Sequence, residues 1–152
     1  MLNATRLLEE YLAGNRDFAS VKLNGVCLYR ATLAKINLQN AELVGANLSG
    51  ADLSEASLKG ANFSGAFLNA ISIEANLQNA NLNSVSLVEA DLSGANLRDA
   101  NLVGANLAHA NLYKAILVEA NLSSANLDGA NLEQANVDRL NLNTQNPELV
   151  KK

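Results

Sequence analysis

One histidine, His109, and one cysteine, Cys27, stand among fifteen carboxylates and eleven lysines and arginines in 152 residues. A cysteine needs a base within hydrogen-bond reach to become a nucleophile, and a metal site needs several His, Cys, Asp or Glu ligands converging. The sequence offers neither. No second His or Cys lies near His109, which reads as an ordinary surface residue, and Cys27 reads as a tolerated small residue with no base beside it. Acidic pairs such as Asp52 and Glu55 have the type for general acid–base work, but they read as solvated surface. The expectation is a protein without catalytic residues, cofactor or metal.

The elements that would position these groups explain why. In "ANLRDANLVGANLAHANLYKAILVEANLSSANLDGANLEQAN", residues 95–136, Ala recurs at nearly every fifth residue and Leu stands two further on. An α-helix completes a turn in about 3.6 residues, so positions five apart drift around its axis and form no stripe. A flat strand sends positions five apart to opposite faces. One shared interior for these leucines requires a chain that turns a corner once per repeat and winds around them.

The large centre residues run every fifth position from Phe18 to Leu68 and Ile73, then from Leu77 to Leu142. The phase slips once, which assigns a four-residue unit to "ISIE", 71–74, centred on Ile73. Of 26 centres 22 are Leu, and 19 are preceded at two residues by Ala, so the large residue fills a narrow tube and the small one closes its wall. Such a tube has a filled interior and convex sides, with no pocket for a substrate.

The A-(N/D)-L-x-x repeat resembles the pentapeptide-repeat proteins over residues 16–144, and the lead-in "LLEEYLAGNRDF" is similar to that of cyanobacterial members. The resemblance implies an all-β fold, a right-handed quadrilateral parallel β-helix with four repeats per coil. At about 4.8 Å per rung, roughly 6.5 coils would extend about 31 Å.

The remaining segments read as ends. Residues 1–15 are expected to hold a short capping α-helix over 3–13, with Leu7, Leu8, Tyr11 and Leu12 on one stripe, Asn3 or Thr5 as N-cap and Gly14 past its end. Glu9 and Glu10 interrupt this apolar stretch, which speaks against a secretory signal. Residues 145–152 form a tail in which Pro147 and the two terminal lysines would blunt the last open rung. A single cysteine excludes an internal disulfide and fits a reducing cytoplasm, and no apolar run is long enough to span a membrane.

With every fourth repeat on the same side, two sides stand out. One carries Asp52, Glu55, Glu74, Asp91 and Glu133 against Lys35 and Lys114. Another has no charge from residue 61 onward, with Asn62, Asn81, Asn101 and Asn121 in one column and Gly65, Ser84, Gly104 and Ser124 in a second. The neutral column has a structural reading, amides bonding from rung to rung where stacked charges would repel. It also has a functional one, a flat strip that docks a partner or a second copy. Having less to desolvate, it is the candidate partner side, with the acidic side around Asp52, Glu55, Glu74 and Asp91 as the alternative.

The expected function is a non-enzymatic protein–protein interaction or regulatory module, a monomer or weak homodimer, binding neither nucleic acid nor membrane. The resemblance carries one alternative, mimicry of DNA toward DNA gyrase. Duplex DNA of about 31 Å presents roughly 18 negative charges, far more than the acidic side's net of three. A structural or stress-related accessory role is the second alternative.

Overall fold

The computed structural model describes residues 2–142. The tail and its expected edge-blunting Pro147, Lys151 and Lys152 lie outside the described residues. Helix α1 spans Ala4–Leu12, and the Asn3 side chain caps it by accepting a hydrogen bond from the Arg6 N–H at 2.9 Å. Leu7 and Tyr11 are buried against the first coils, and the Tyr11 hydroxyl donates to the Ala34 carbonyl at 2.8 Å. Leu12, expected on the same stripe, is instead exposed. Five positions on from Leu7, it has rotated well past the face that Leu7 and Tyr11 share, beyond the contact arc of so short a helix.

From Asp17 onward the chain winds as a solenoid of stacked parallel coils. Asp17 pairs with Asn37, Lys22 with Glu42 and Cys27 with Asn47, a sequence offset of 20 that places four five-residue units in each turn. The centre side chains from Leu28 to Leu122 are no more than 1% exposed. They form one continuous core with the alanines at the corners.

The bonding of one unit shows what each residue type does. In Ala100–Gly104, the Asn101 N–H donates to Ala80 of the preceding coil at 3.0 Å, and the Leu102 N–H donates to Asn121 of the following coil at 2.8 Å. The Gly104 N–H donates to Ser123 at 2.9 Å, and the next Ala105 N–H returns to Leu102 at 3.0 Å. The fourth N–H, of Val103, has no carbonyl to reach. It donates to the Asn101 side-chain oxygen at 3.2 Å. Asn or Asp in the second position therefore completes the backbone of its own unit, an Asx turn repeated along the solenoid. The fifth residue is left-handed in each five-residue unit from Ser20 to Arg139, whether glycine as at Gly104 (φ +64°) or not as at Lys114 (φ +57°).

The phase slip is real but lies elsewhere than expected. The coil offset falls to 19 at Asp52↔Ile71, Ser57↔Asn76, Asn62↔Asn81 and Phe67↔Ser86, and returns to 20 at Ile71↔Asp91. The four-residue unit is therefore 66–69, "AFLN", and not 71–74. Ala70 opens a full unit whose centre is Ser72, not Ile73. The corner is closed by the Ala70 N–H donating to the Leu68 carbonyl at 2.8 Å, two residues back rather than the usual three. This is a three-residue turn. Ala70 suits so tight a corner because it carries only a methyl group. Ser72 is 1% exposed and its hydroxyl has no partner, while Ile71 and Ile73 face outward.

The stretch through the tight corner is not uniformly weakened. The N–H groups of Ile71, Ser72 and Glu74 donate to Ala51, Asp91 and Ser93 at 2.8–2.9 Å. Asn69 and Ile73 lack the Asx acceptor, because Phe67 and Ile71 occupy the second positions of their units. Fast amide exchange is expected at Asn69 and Ile73, with protection retained at Ile71, Ser72 and Glu74. Exchange measured by NMR that is uniform over 69–74 would contradict this bond pattern.

Candidate functional site

The solenoid stacks second-position residues into one column per side and fifth-position residues into another, so each side is a ruled surface. On the neutral side the column Asn62–Asn81–Asn101–Asn121 forms as expected, with each residue paired to the next coil. The Asn81 amide donates to the Asn62 oxygen at 3.0 Å and the Asn101 amide to the Asn81 oxygen at 3.3 Å. The side-chain oxygens of Asn62, Asn81 and Asn101 also accept from the Ser64, Asn83 and Val103 N–H groups of their own units. The column's polar groups are therefore largely engaged within the solenoid. Asn101→Ala should lower stability by about 1–2 kcal/mol, the loss of two net hydrogen bonds, read by urea denaturation. An effect no larger than that of an exposed fourth-position change would remove the Asx turn's structural role.

Beside that ladder, Gly65, Ser84, Gly104 and Ser124 stack as exposed left-handed residues. The Ser84 hydroxyl donates to Asn83 at 2.8 Å. Toward the first coils the neutral side acquires charge, where Lys22 meets Glu42 at 3.9 Å.

The acidic side is also assembled as expected, since Asp52 and Asp91 fall in one column and Glu55 and Glu74 in another. Lys35 reaches Glu55 at 3.4 Å. The Asp91 carboxylate accepts from the Ser93 N–H, the Ser93 hydroxyl and the Asn111 amide. What the sequence reading missed lies between these carboxylates. Ile71 stands in the column between Asp52 and Asp91, 45% exposed, and Ile73 is 37% exposed beside it. Phe67, 55% exposed, precedes Ile71 by four residues on the adjoining side of the tight corner. The alanine phase carried the missing signal: Ala66 to Ala70 is a step of four and Ala70 to Ala75 a step of five.

His109 is exposed and its ring lies over Gly129 of the next coil, where a side chain would collide with it. Cys27 is exposed and unpaired. Among the described residues no group of three His, Cys, Asp or Glu could hold a metal, and no helix is long and apolar enough to cross a membrane. An open hollow of about 360 Å³ lies where the start of α1 meets the first coil, lined by Leu2, Asn3, Lys22, Leu23, Asn24 and Val26. Its one ionisable lining side chain is Lys22, whose ammonium lies 3.9 Å from the Glu42 carboxylate.

The profile of the family described as Pentapeptide repeats matches in 8 copies, over residues 32–69, 75–112 and 105–143. The break between 69 and 75 falls on the unit centred on Ser72. Among solved structures, the chain is similar to HetL, a pentapeptide repeat protein involved in heterocyst differentiation regulation from the cyanobacterium Nostoc sp. strain PCC 7120. Identity is 25% over 92% of this chain and 97% of that one, with a TM-score of 0.38. It is 31% identical to the pentapeptide repeat protein Rfr23 from the cyanobacterium Cyanothece 51142, over 91% and 99% of the two chains, TM-score 0.34. The trypsin-treated form of QnrB1, a plasmid-mediated fluoroquinolone resistance protein, is similar in fold at 16% identity over 90% and 91%, TM-score 0.53. No curated protein is matched.

Proposed function

Because the chain belongs to the pentapeptide-repeat family, we propose that it is a non-enzymatic module that binds another protein through the outer sides of its solenoid. We take the coil as the right-handed quadrilateral β-helix of that family, acting in the cytoplasm. The observation that supports this reading is the filled interior. From Leu28 to Leu122 the centre of every coil is buried, so binding along the tube falls to its outward columns. Those columns are rigid, because their backbone is bonded to the coils on both sides, and a rigid surface loses little conformational entropy when it docks.

The test pairs two measurements. The immobilised chain should reproducibly retain a protein partner from its native cytoplasm, and should leave DNA gyrase supercoiling unchanged at stoichiometric dose. Inhibition or protection of gyrase would assign DNA mimicry instead. Neither effect would leave an accessory structural role. Lys placed at Ser84, Gly104 and Ser124 together examines the neutral side. Lys35 and Lys114 already occupy the same left-handed position, so folding should survive and loss of the partner would locate the contact there.

A further inference from the structure

We infer that the acidic side docks a basic, apolar segment of a partner protein, with Ile71 and Ile73 as the apolar centre of the contact. This rests on the protein-binding reading above and specifies its side and its chemistry.

Three observations converge on this patch. First, Ile71 and Ile73 are exposed two residues apart on one side of the solenoid, whereas Ile36 is buried and the other exposed isoleucine, Ile116, stands singly in a different column, paired with Asn96. They stand where other units carry Asn or Asp and Ser, Gln or Val. Second, their exposure is costly locally. A four-residue unit placed at 71–74 would turn both isoleucines inward and Ser72 outward. The solenoid instead buries Ser72 with an unpartnered hydroxyl and keeps the isoleucines out. Breaks in an otherwise consistent pattern concentrate where a surface is used. Third, the charged side chains flanking the patch in its own columns are carboxylates, of which Glu55 alone is paired, to Lys35 one coil away. Asp52 and Asp91 lie on either side of Ile71 in its column, and Glu55 and Glu74 stack beside Ile73. Among the described residues, Asp52, Glu74 and Asp91 form no ion pair.

An apolar centre inside a charged rim is the anatomy of a protein interface, and the sign of the rim selects the partner. Leucine- or isoleucine-sized side chains would cover Ile71 and Ile73, while flanking Lys or Arg would meet the carboxylates. Phe67 would extend the apolar edge around the corner. An acidic segment would be repelled, and so would a second copy presenting this same side.

The experiment uses the full chain and three labelled short peptides, read by fluorescence anisotropy. The first alternates leucine with lysine and arginine, the second replaces the basic residues with glutamate, and the third has the basic residues with glycine. The first should bind at least about tenfold tighter than the other two. Ile71→Asn with Ile73→Ser restores residue types used at these positions in other units, so the fold should be retained by circular dichroism. That variant should weaken the first peptide by about tenfold or more. Glu74→Gln should reduce the salt dependence of binding.

Equal binding of the glycine peptide, an unaffected double variant, or no binding of the first peptide would each overturn the inference. So would self-association abolished by the double variant, which would make the occupant a second copy. A native partner that the double variant still retains would overturn this site while leaving the protein-binding reading intact. A wild-type chain that retains no partner would instead remove that reading.

Discussion

Leu97→Ala and Leu107→Ala should each destabilise the solenoid by about 2–5 kcal/mol in chemical denaturation, while Arg98→Ala changes it by no more than about 0.5 kcal/mol. The two leucines are at most 1% exposed at the centre of mid-solenoid coils. Each leaves a hole that its surroundings cannot fill. The wall around it is fixed by bonds such as Leu97 N–H to the Ile116 carbonyl at 2.7 Å and Asn96 N–H to Ala75 at 2.9 Å. Rungs bonded on both sides cannot move inward to close a cavity, so the cost should fall toward the upper part of the range. Arg98 is exposed and contributes chiefly its backbone N–H to the Asn96 side chain. Equal losses at Leu97 and Arg98 would sink the inside–outside assignment. Because each coil contacts only its neighbours, the leucine variants should also broaden the transition as they uncouple the two ends.

Ser72→Leu is expected to act in the opposite direction and stabilise the protein by about 2 kcal/mol or more, because it removes a buried hydroxyl without a partner and restores apolar contact along the core. The Ser72 N–H bonds to Asp91 at 2.8 Å, as Leu53 and Leu92 bond to their neighbours at 2.7 and 2.8 Å. The rung is thus bonded as its neighbours are, and leucine, as Leu53 and Leu92, holds the same centre position in the coils on either side. The unpartnered hydroxyl alone is a liability of about 1–3 kcal/mol. Ser72→Ala should therefore give a smaller gain, from that effect only. If the serine instead faces solvent, with Ile71 and Ile73 inside, Ser72→Leu would be neutral or destabilising. A direct check uses a background in which exposed Cys27 is replaced by serine. Cysteine at position 73 should then label rapidly with a thiol reagent, and cysteine at position 72 should not.

Much of this structure follows from local regularity. A five-residue period with Ala and Leu at fixed places is compatible with neither a helix nor a flat strand. It specifies a tube and its interior, while four repeats per coil, and so the residues that share a side, were what the family resemblance implied and what the coil offset of 20 sets. With four repeats per coil, the regular spacing places Asn62, Asn81, Asn101 and Asn121 in one column and Asp52 with Asp91 in another, because stacking is a nearest-neighbour matter repeated along the chain. The position of α1 follows from its apolar stripe, while the choice of Asn3 over Thr5 as its cap was made by the structure.

Where two local patterns disagreed, only the stacked coils decided. Around "AFLNAISIE" the large residues favour a short unit at 71–74, and the alanines favour one at 66–69. Composition satisfies both. The choice rests on pairing across coils, in which Ile71 bonds to Ala51 and Ser72 to Asp91 while Ala70 takes the tight corner. Those partners lie a full coil away along the chain, out of reach of any local pattern. A single-residue shift exchanges inside for outside, so that one choice exposed Ile71 and Ile73 and buried Ser72. Leu12 was likewise settled by the arc of α1 that reaches the first coils, and the second duty of Asn by the fourth N–H, which no carbonyl of the neighbouring coils can reach. Sequence periodicity determined what is buried on average, while the hydrogen bonds between coils determined which residues depart from that average.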